Sequence, residues 1–121
     1  VVHVDIAPTI LKAAGLPIPE GLDGIPLQRY FENPRYGEDR AIYCIGYIGG
    51  DMVAWRNWRF LQVGESHMLF DLSTDPKQVK NLANKPEYQA QLAMMREKWQ
   101  ALKNKPAPSL PHFEKIPLMP L

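Results

Sequence analysis

The side chains that could support hydrolytic or metal chemistry are scattered along this sequence. The three histidines, His3, His67 and His112, lie far apart, and neither an HExxH motif nor a Cys/His spacing typical of zinc sites is present. There is no GxSxG nucleophile elbow, and Gly49-Gly50 is typical of a hairpin turn rather than of a phosphate-binding loop. We therefore predict no catalytic, cofactor-binding or metal-binding residue within this chain.

Two residue types leave a functional alternative open. Paired aspartates could perform acid–base catalysis, but structural roles are favoured: a helix cap for Asp5, and turns, caps or strand ends for Asp23, Asp71 and Asp75. Aromatic residues could form a platform for a sugar, but their position on predicted strands beside a helix favours core packing. These aromatic residues are Tyr43, Tyr47, Trp55, Trp58 and, on the helix, Trp99.

The composition is that of a globular protein with one modest core. The chain has 121 residues, of which 45% are hydrophobic and 22% are charged. A formal net charge of +1 gives no reason to expect nucleic acid or an anionic membrane as a partner. No apolar run could cross a bilayer, and the N-terminus does not read as a signal peptide. The missing initiator Met predicts an excised or processed fragment. Cys44, the single cysteine, is expected to be a small apolar side chain in a strand.

The elements that would position these residues follow from the hydrophobic pattern. A short helix is predicted from Asp5 to Gly15, with an apolar face that needs a partner surface (Ile6, Ile10, Leu11 and Ala14). An ordered loop over 16–26 and a helical turn over 27–31 follow. Aromatic and β-branched residues separated by turn residues predict strands at 41–47, 52–56, 58–63 and 67–71.

A long helix is predicted from Pro86 to about Lys103. Its apolar residues recur at three- and four-residue spacing, which indicates one buried stripe formed by Tyr88, Leu92, Met95, Trp99 and Leu102. This helix should cover one face of the sheet, giving an α+β fold with a small antiparallel four-stranded sheet. Residues 104–121 contain five prolines and form a tail whose apolar residues favour docking along the body.

Four segments occur in a characteristic order: His3–Pro17, Gly21–Leu27, Trp58–Leu61 and Leu69–Ala83. The first is a V-D-x-x-P-T stretch that continues into A-G-L-P, and the last joins L-F-D-L-x-x-D-P to N-L-A. Together they resemble the corresponding segments of the formylglycine-dependent sulfatases of the alkaline phosphatase superfamily. Arg59 stands where Lys is usual, Gln78 where Glu is usual, and the turn at Arg56-Asn57 is shortened.

The resemblance implies a division of the chain. Residues 1–30 would be the end of the large α/β catalytic domain, residues 31–103 the smaller C-terminal subdomain, and residues 104–121 a proline-rich tail. The expected function is that of a C-terminal sulfatase fragment that completes the fold and borders the substrate cleft. Trp55, Arg56 and His67, near the predicted hairpin turns, are the candidates for cleft-facing residues, against a structural or solvent-exposed role.

The resemblance also implies what lies outside this chain. The formylglycine nucleophile, formed from a C/S-x-P-x-R motif, and the calcium ligands belong to the upstream part of such enzymes; Cys44-Ile45-Gly46 is not that motif. The fragment is therefore expected to be inactive alone. Its expected partner is the missing catalytic domain, the substrate of the parent is a sulfated small molecule or glycan, and export to a periplasm, lysosome or exterior is common in the family.

Three alternatives stay open. The tail of a phosphonate or phosphodiester hydrolase of the same superfamily would share these segments. A free-standing, non-catalytic binding domain is compatible with a core over 41–103. The isolated fragment could also self-associate through the surface that it would bury against a catalytic domain.

Overall fold

The computed structural model describes residues 2–46 and 49–106. Short helical elements come first, then four strands, then one long helix. Their bounds are α1 at Ile6–Ala13, preceded by a 3-10 turn at His3–Asp5; α2 at Gln28–Glu32; β1 at Ile42–Ile45; β2 at Gly50–Trp55; β3 at Trp58–Val63; β4 at Ser66–Asp71; and α3 at Gln89–Lys103, preceded by a 3-10 turn at Pro86–Tyr88.

The chain divides into two compact units. The first contains the residues up to Tyr36, and the second is Gly37–Lys105. The assignment of 1–30 to a catalytic domain and of 31–103 to a subdomain stays a prediction. The predicted docking of the tail falls almost entirely on residues 107–121, which lie outside the described residues, as does Tyr47. No helix within the described ranges is long and apolar enough to span a membrane.

Polar contacts connect α1 to the loop over 21–27 in the first unit. Asp5 is fully buried; its Oδ1 accepts the Ile25 N–H at 2.9 Å and its Oδ2 accepts the Val2 N–H at 2.9 Å. The Thr9 hydroxyl donates to the Asp5 carbonyl and accepts the Leu27 N–H. A Cβ on Gly24 would lie 1.9 Å from the Val4 carbonyl oxygen, so only glycine fits at this approach.

This geometry corrects the predicted role of Asp5. Its side chain makes no capping hydrogen bond to α1, because the backbone already turns at His3–Asp5 and the carboxylate is used for Val2 and Ile25. The predicted end of the helix is confirmed: Gly15 follows α1 in the left-handed region with a φ of 70°.

The second unit is an antiparallel meander in the order β1-β2-β3-β4. The predicted four strands are confirmed, with β2 beginning two residues earlier and β1 ending at Ile45. Two-residue turns join the later strands. Arg56 (φ 49°) and Gly64 (φ 56°) supply the left-handed residue that tight hairpins require.

Helix α3 covers one face of the sheet, as predicted. Val53, Phe60 and Leu69 are register partners on neighbouring strands, so their side chains line one face, where they meet Leu92 and Met95. The predicted helical stripe is confirmed, since Tyr88, Trp99 and Leu102 pack around the same core. Tyr43, Trp55 and Trp58 join it too, which confirms core packing for these aromatic residues.

The outer edge of β4 is closed by the segment at Asn81. Its side-chain Oδ1 accepts the N–H groups of Leu69 and Ala83, both at 3.0 Å. The Leu82 N–H then donates to the Leu69 carbonyl at 2.8 Å. The N-L-A segment therefore satisfies an edge strand that would otherwise expose unpaired backbone groups. Cys44 lies in β1, as predicted, but its side chain is exposed rather than packed.

Candidate functional site

Two of the three predicted cleft residues lie together at the β2–β3 turn. The Trp55 Nε1–H donates to the Asp39 carbonyl at 3.1 Å, which fixes the indole against the segment that precedes β1. The Arg56 Nε donates to Asp39 Oδ1 at 3.0 Å, and the Arg56 Nη2 forms an ion pair with the same oxygen. Asp39 therefore holds the side chains of Trp55 and Arg56 in place at the turn.

Two cations lie over the Trp55 ring. The Arg56 Cζ is 4.6 Å from the ring centroid, and the Lys98 Nζ, reaching from α3, is 4.3 Å from it. Both distances are within the range of a cation–π interaction. Arg59 brings a third positive charge to the turn, because its Nη1 donates to the carbonyls of Arg56 and Trp58 at 3.2 and 2.9 Å.

His67 lies elsewhere. It pairs with Gln62, whereas Trp55 pairs with Trp58, and the four residue steps along β3 between these positions span about 13 Å. The Arg96 Nη2 contacts the His67 ring at 3.1 Å. The structure therefore brings Trp55 and Arg56 together but separates His67 from them. A cleft-facing role for each of the three stays a prediction.

A polar cluster on the covered face of the sheet was not predicted. Asp51 Oδ2 accepts the Trp99 Nε1–H at 3.2 Å and lies 3.2 Å from the Lys103 Nζ. The side chain of Asp51 is only 15% exposed. Side chains alternate between the two faces of a strand, so Asp51 lies on the same face of β2 as Val53 and Trp55. This alternation could have predicted that Asp51 lies on the covered face.

The electrostatics of this cluster favour a charged Asp51. Partial burial alone would raise the pKa of the carboxyl, but hydrogen bonds from Lys103, Tyr43 and Trp99, with the charge of Lys103, outweigh it and lower the pKa. The pKa of Tyr43 is raised by burial and by its hydrogen bond to Asp51. These contacts attach the C-terminal end of α3 to β1 and β2, so the cluster is a structural clamp.

The aspartates predicted to be structural make local contacts. Asp71 Oδ1 accepts the Ser73 N–H at 2.9 Å at the end of β4, and Asp75 Oδ2 accepts the Lys80 N–H at 2.8 Å in the following loop. Among residues 2–46 and 49–106, no three His, Cys, Asp or Glu side chains converge on a point where a metal ion would fit. The described residues therefore offer no set of side chains that would suit the calcium ion expected in the parent enzyme.

The meander and its covering helix agree with the fold expected of the C-terminal region of a sulfatase. The chain belongs to the family described as N-sulphoglucosamine sulphohydrolase, C-terminal, which matches residues 1–105. It is 31% identical over 105 residues to an arylsulfatase of Clostridium perfringens, covering 77% of this chain and 20% of that protein.

Solved structures agree on the fold. A 2-O GAG sulfatase superposes with a TM-score of 0.66 at 25% identity, covering 81% of this chain and 23% of that one. The phosphonate monoester hydrolase of Agrobacterium radiobacter superposes with a TM-score of 0.65 at 21% identity, covering 82% and 24%, which shows a shared fold. The chain spans about a fifth of the length of the arylsulfatase that it matches.

Proposed function

We propose that this chain is the part of a sulfatase that completes the fold and borders the substrate cleft, and that it hydrolyses no sulfate ester by itself. The observation that carries the proposal is the mismatch within the first unit. Its backbone is fixed by the buried Asp5, yet Ile6 and Ile10 on α1 are 47% and 61% exposed. An apolar face on such a firmly held helix is typical of a surface that another domain covers.

The missing catalytic domain is the partner that fits this face. The relatives are several times longer than this chain, and the sequence contains no C/S-x-P-x-R motif. We assign the nucleophile and any calcium of the parent enzyme to that upstream part. The contribution of this chain would then be to hold one wall of the cleft in position, and the Trp55–Arg56 turn is the part of it whose chemistry suits an anionic substrate.

The experiment compares the isolated chain with the parent enzyme. Both are assayed with 4-nitrophenyl sulfate in the presence of calcium, and we expect saturable turnover from the parent alone. Saturable turnover by the isolated chain would contradict the assignment of the catalytic groups to the upstream part. A gene that begins near Val1 would contradict the fragment hypothesis itself and would favour a free-standing binding domain.

A second candidate parent is a phosphonate or phosphodiester hydrolase. The likeness to the phosphonate monoester hydrolase supports it at the level of the fold. Assay of the parent with an aryl phosphonate monoester beside 4-nitrophenyl sulfate separates the two, because the preferred substrate has the higher kcat/KM. We expect the sulfate ester to be preferred.

A further inference from the structure

The two outer strands of the sheet differ at their free edges. The edge of β4 is closed by Asn81, whose Oδ1 accepts the Leu69 N–H. Within the part of the chain that the structure describes, no strand pairs with the outer side of β1. Two consecutive side chains of β1, Cys44 and Ile45, are exposed, Ile45 to 76%. Strand β1 is therefore the edge of the sheet to which another strand can be added.

The usual protections of an edge strand are missing from β1. Exposed edges are commonly blocked by charged side chains, by proline or by a bulge. Residues 42–46 read I-Y-C-I-G and contain neither a charge nor a proline. The pairing with β2 runs from Ile42 to Ile45 without a bulge. Nothing in the strand itself therefore opposes the addition of a further strand, and covering the apolar side chain of Ile45 would favour it.

The register determines which backbone groups of β1 point outward. The Gly46 N–H donates to the Gly50 carbonyl at 2.6 Å, so Gly46 bonds toward β2. Because hydrogen-bonded pairs alternate along an antiparallel ladder, Cys44 also bonds toward β2. The N–H and C=O groups of Tyr43 and Ile45 therefore point away from the sheet. They form a row of donors and acceptors with the spacing that an antiparallel strand requires.

This row is complementary to itself. When two β1 strands pair antiparallel about a twofold axis at Cys44, Tyr43 of one copy lies opposite Ile45 of the other. Such a pair exchanges two N–H···O=C bonds, and the twofold axis generates the same pair a second time. Ile42 then lies opposite Gly46, so no like charges face each other across the contact. A second copy of the chain therefore supplies the complement of this edge.

We propose that two copies of this chain pair through the free edge of β1 with Cys44 at the twofold axis, a contact called here the β1 dimer. Tyr43 of the second copy would cover the exposed Ile45. With one short strand from each copy, the contact belongs to the small, transient class of interfaces, so we expect a dissociation constant on the order of 100 μM. The surface is separate from the apolar face of α1, and the proposal does not rest on the proposed function.

Cys44 provides a direct measurement of this pairing. At the twofold axis the two Cys44 residues form a non-hydrogen-bonded pair, with Cα atoms about 4.5 Å apart and side chains on the same face. This separation lies within the range of disulfides, about 4.4–6.8 Å. Oxidised glutathione would accept the two electrons: two Cys44 thiols become one disulfide between the copies, and the oxidant becomes two glutathione thiols.

The test follows the disulfide-linked dimer of the 121-residue chain on non-reducing gels, at chain concentrations below and above the expected dissociation constant. Cys44 is the only cysteine, so a linked dimer must contain a Cys44–Cys44 disulfide. The matched control is Cys44→Ser/Ile45→Cys, which moves the thiol to a position that is 76% exposed. In the β1 dimer the Cα atoms at position 45 would be about 8 Å apart, too far for a disulfide.

We expect Cys44 to cross-link at least about tenfold faster than the thiol of the control variant, because only Cys44 has disulfide geometry in the β1 dimer. Ile45→Pro removes an outward N–H and leaves the bonds to β2 in place. It should slow cross-linking of Cys44 by about fivefold or more, since each dimer loses two backbone bonds. Circular dichroism of each variant separates loss of the contact from loss of the fold.

Equal cross-linking rates for the unsubstituted chain and the control variant would indicate random collision and would overturn the proposal, as would an Ile45→Pro variant that cross-links at the original rate. Two further results would assign the edge to another occupant. If a chain that ends at Lys105 cross-links and the 121-residue chain does not, residues 106–121 occupy the edge. If the 121-residue chain cross-links and the parent enzyme does not, another part of the parent occupies it. Either result would overturn the second copy as the occupant.

Discussion

The two units of the chain are stabilised by different interactions. Up to Tyr36, the fixed points are hydrogen bonds from backbone N–H groups to Asp5 and Thr9, while apolar side chains such as Ile10 face solvent. From Gly37 to Lys105, an apolar core with fully buried Phe60 and Met95 lies between sheet and helix. The contrast indicates that the second unit contains its own core, and that the first has polar local structure and an unused apolar surface.

The largest expected effect is in the core of the second unit. Phe60 is fully buried beneath α3, so Phe60→Ala should lower the free energy of unfolding by about 3–5 kcal/mol through lost burial and the resulting cavity. Phe31, which is 83% exposed, is the matched control, and Phe31→Ala should change stability by less than about 0.5 kcal/mol. Urea unfolding followed by fluorescence measures both, and equal losses would contradict the location of the core.

The next effect is in the first unit. Gly24→Ala would place a Cβ against the Val4 carbonyl oxygen and should separate the loop from α1, so that the Ile25 N–H loses its bond to Asp5. Amide exchange at Ile25 should then become faster, with little change in the amides of β3. Gly15→Asn is the control, since nothing lies within 4 Å of a Cβ there and Asn tolerates positive φ. Unchanged exchange in Gly24→Ala would contradict the close approach.

A smaller, pH-dependent effect is expected at Asp51. Its pKa is lowered in the folded state, so its stabilising contribution is present above the unfolded pKa of about 3.9 and is lost as the pH falls through the folded pKa. Asp51→Asn should cost about 1–3 kcal/mol at pH 7, because Lys103 and Trp99 lose a charged acceptor. The cost should shrink in acid. Thermal unfolding at pH 7 and below pH 4 measures the difference, and a cost independent of pH would contradict the charged contact.

The smallest effect on stability is expected on the exposed face of α1. Ile6→Lys and Ile10→Lys should change the free energy of unfolding by less than about 0.5 kcal/mol, since both side chains face solvent in the isolated chain. If the isolated chain self-associates through this face, both variants should reduce the molar mass measured by light scattering at high concentration. If the unsubstituted 121-residue chain forms only monomers at every concentration, self-association is contradicted.

The sequence predicted the second unit well for a physical reason. The spacing of Leu92 and Met95 and the alternation in β3 directly encode which side chains face the core, so a single sequence is enough. The role of Asp5 was predicted wrongly and that of Asp51 was not predicted, because their partners, Ile25 and Trp99, lie 20 and 48 residues away. Whether a carboxylate caps its own helix or binds a distant group depends on tertiary contacts, and the period of a strand gives the face of Asp51 but not its partner.

The β2–β3 turn at Trp55 and Arg56 shows the same limit. The positions of Trp55 and Arg56 at a hairpin turn followed from turn residues, whereas the arrival of Lys98 from α3 depends on how the helix crosses the sheet. His67 was predicted to face the cleft together with them because it also lies near a predicted hairpin turn. Its turn is at the other end of β3, and only the strand register reveals the difference.

The attachment of the Asn81 segment to β4 has a consequence for how this fold can vary. The contact is made by one side-chain amide and one backbone bond, and the preceding loop is closed separately by Asp75 and Lys80. Residues inside this loop, between Asp75 and Lys80, are not register partners in the sheet, and one of them, Val79, is 75% exposed. Insertions there would lengthen a surface loop without shifting the sheet, so this loop is a place where related chains can diverge in length while keeping the same scaffold.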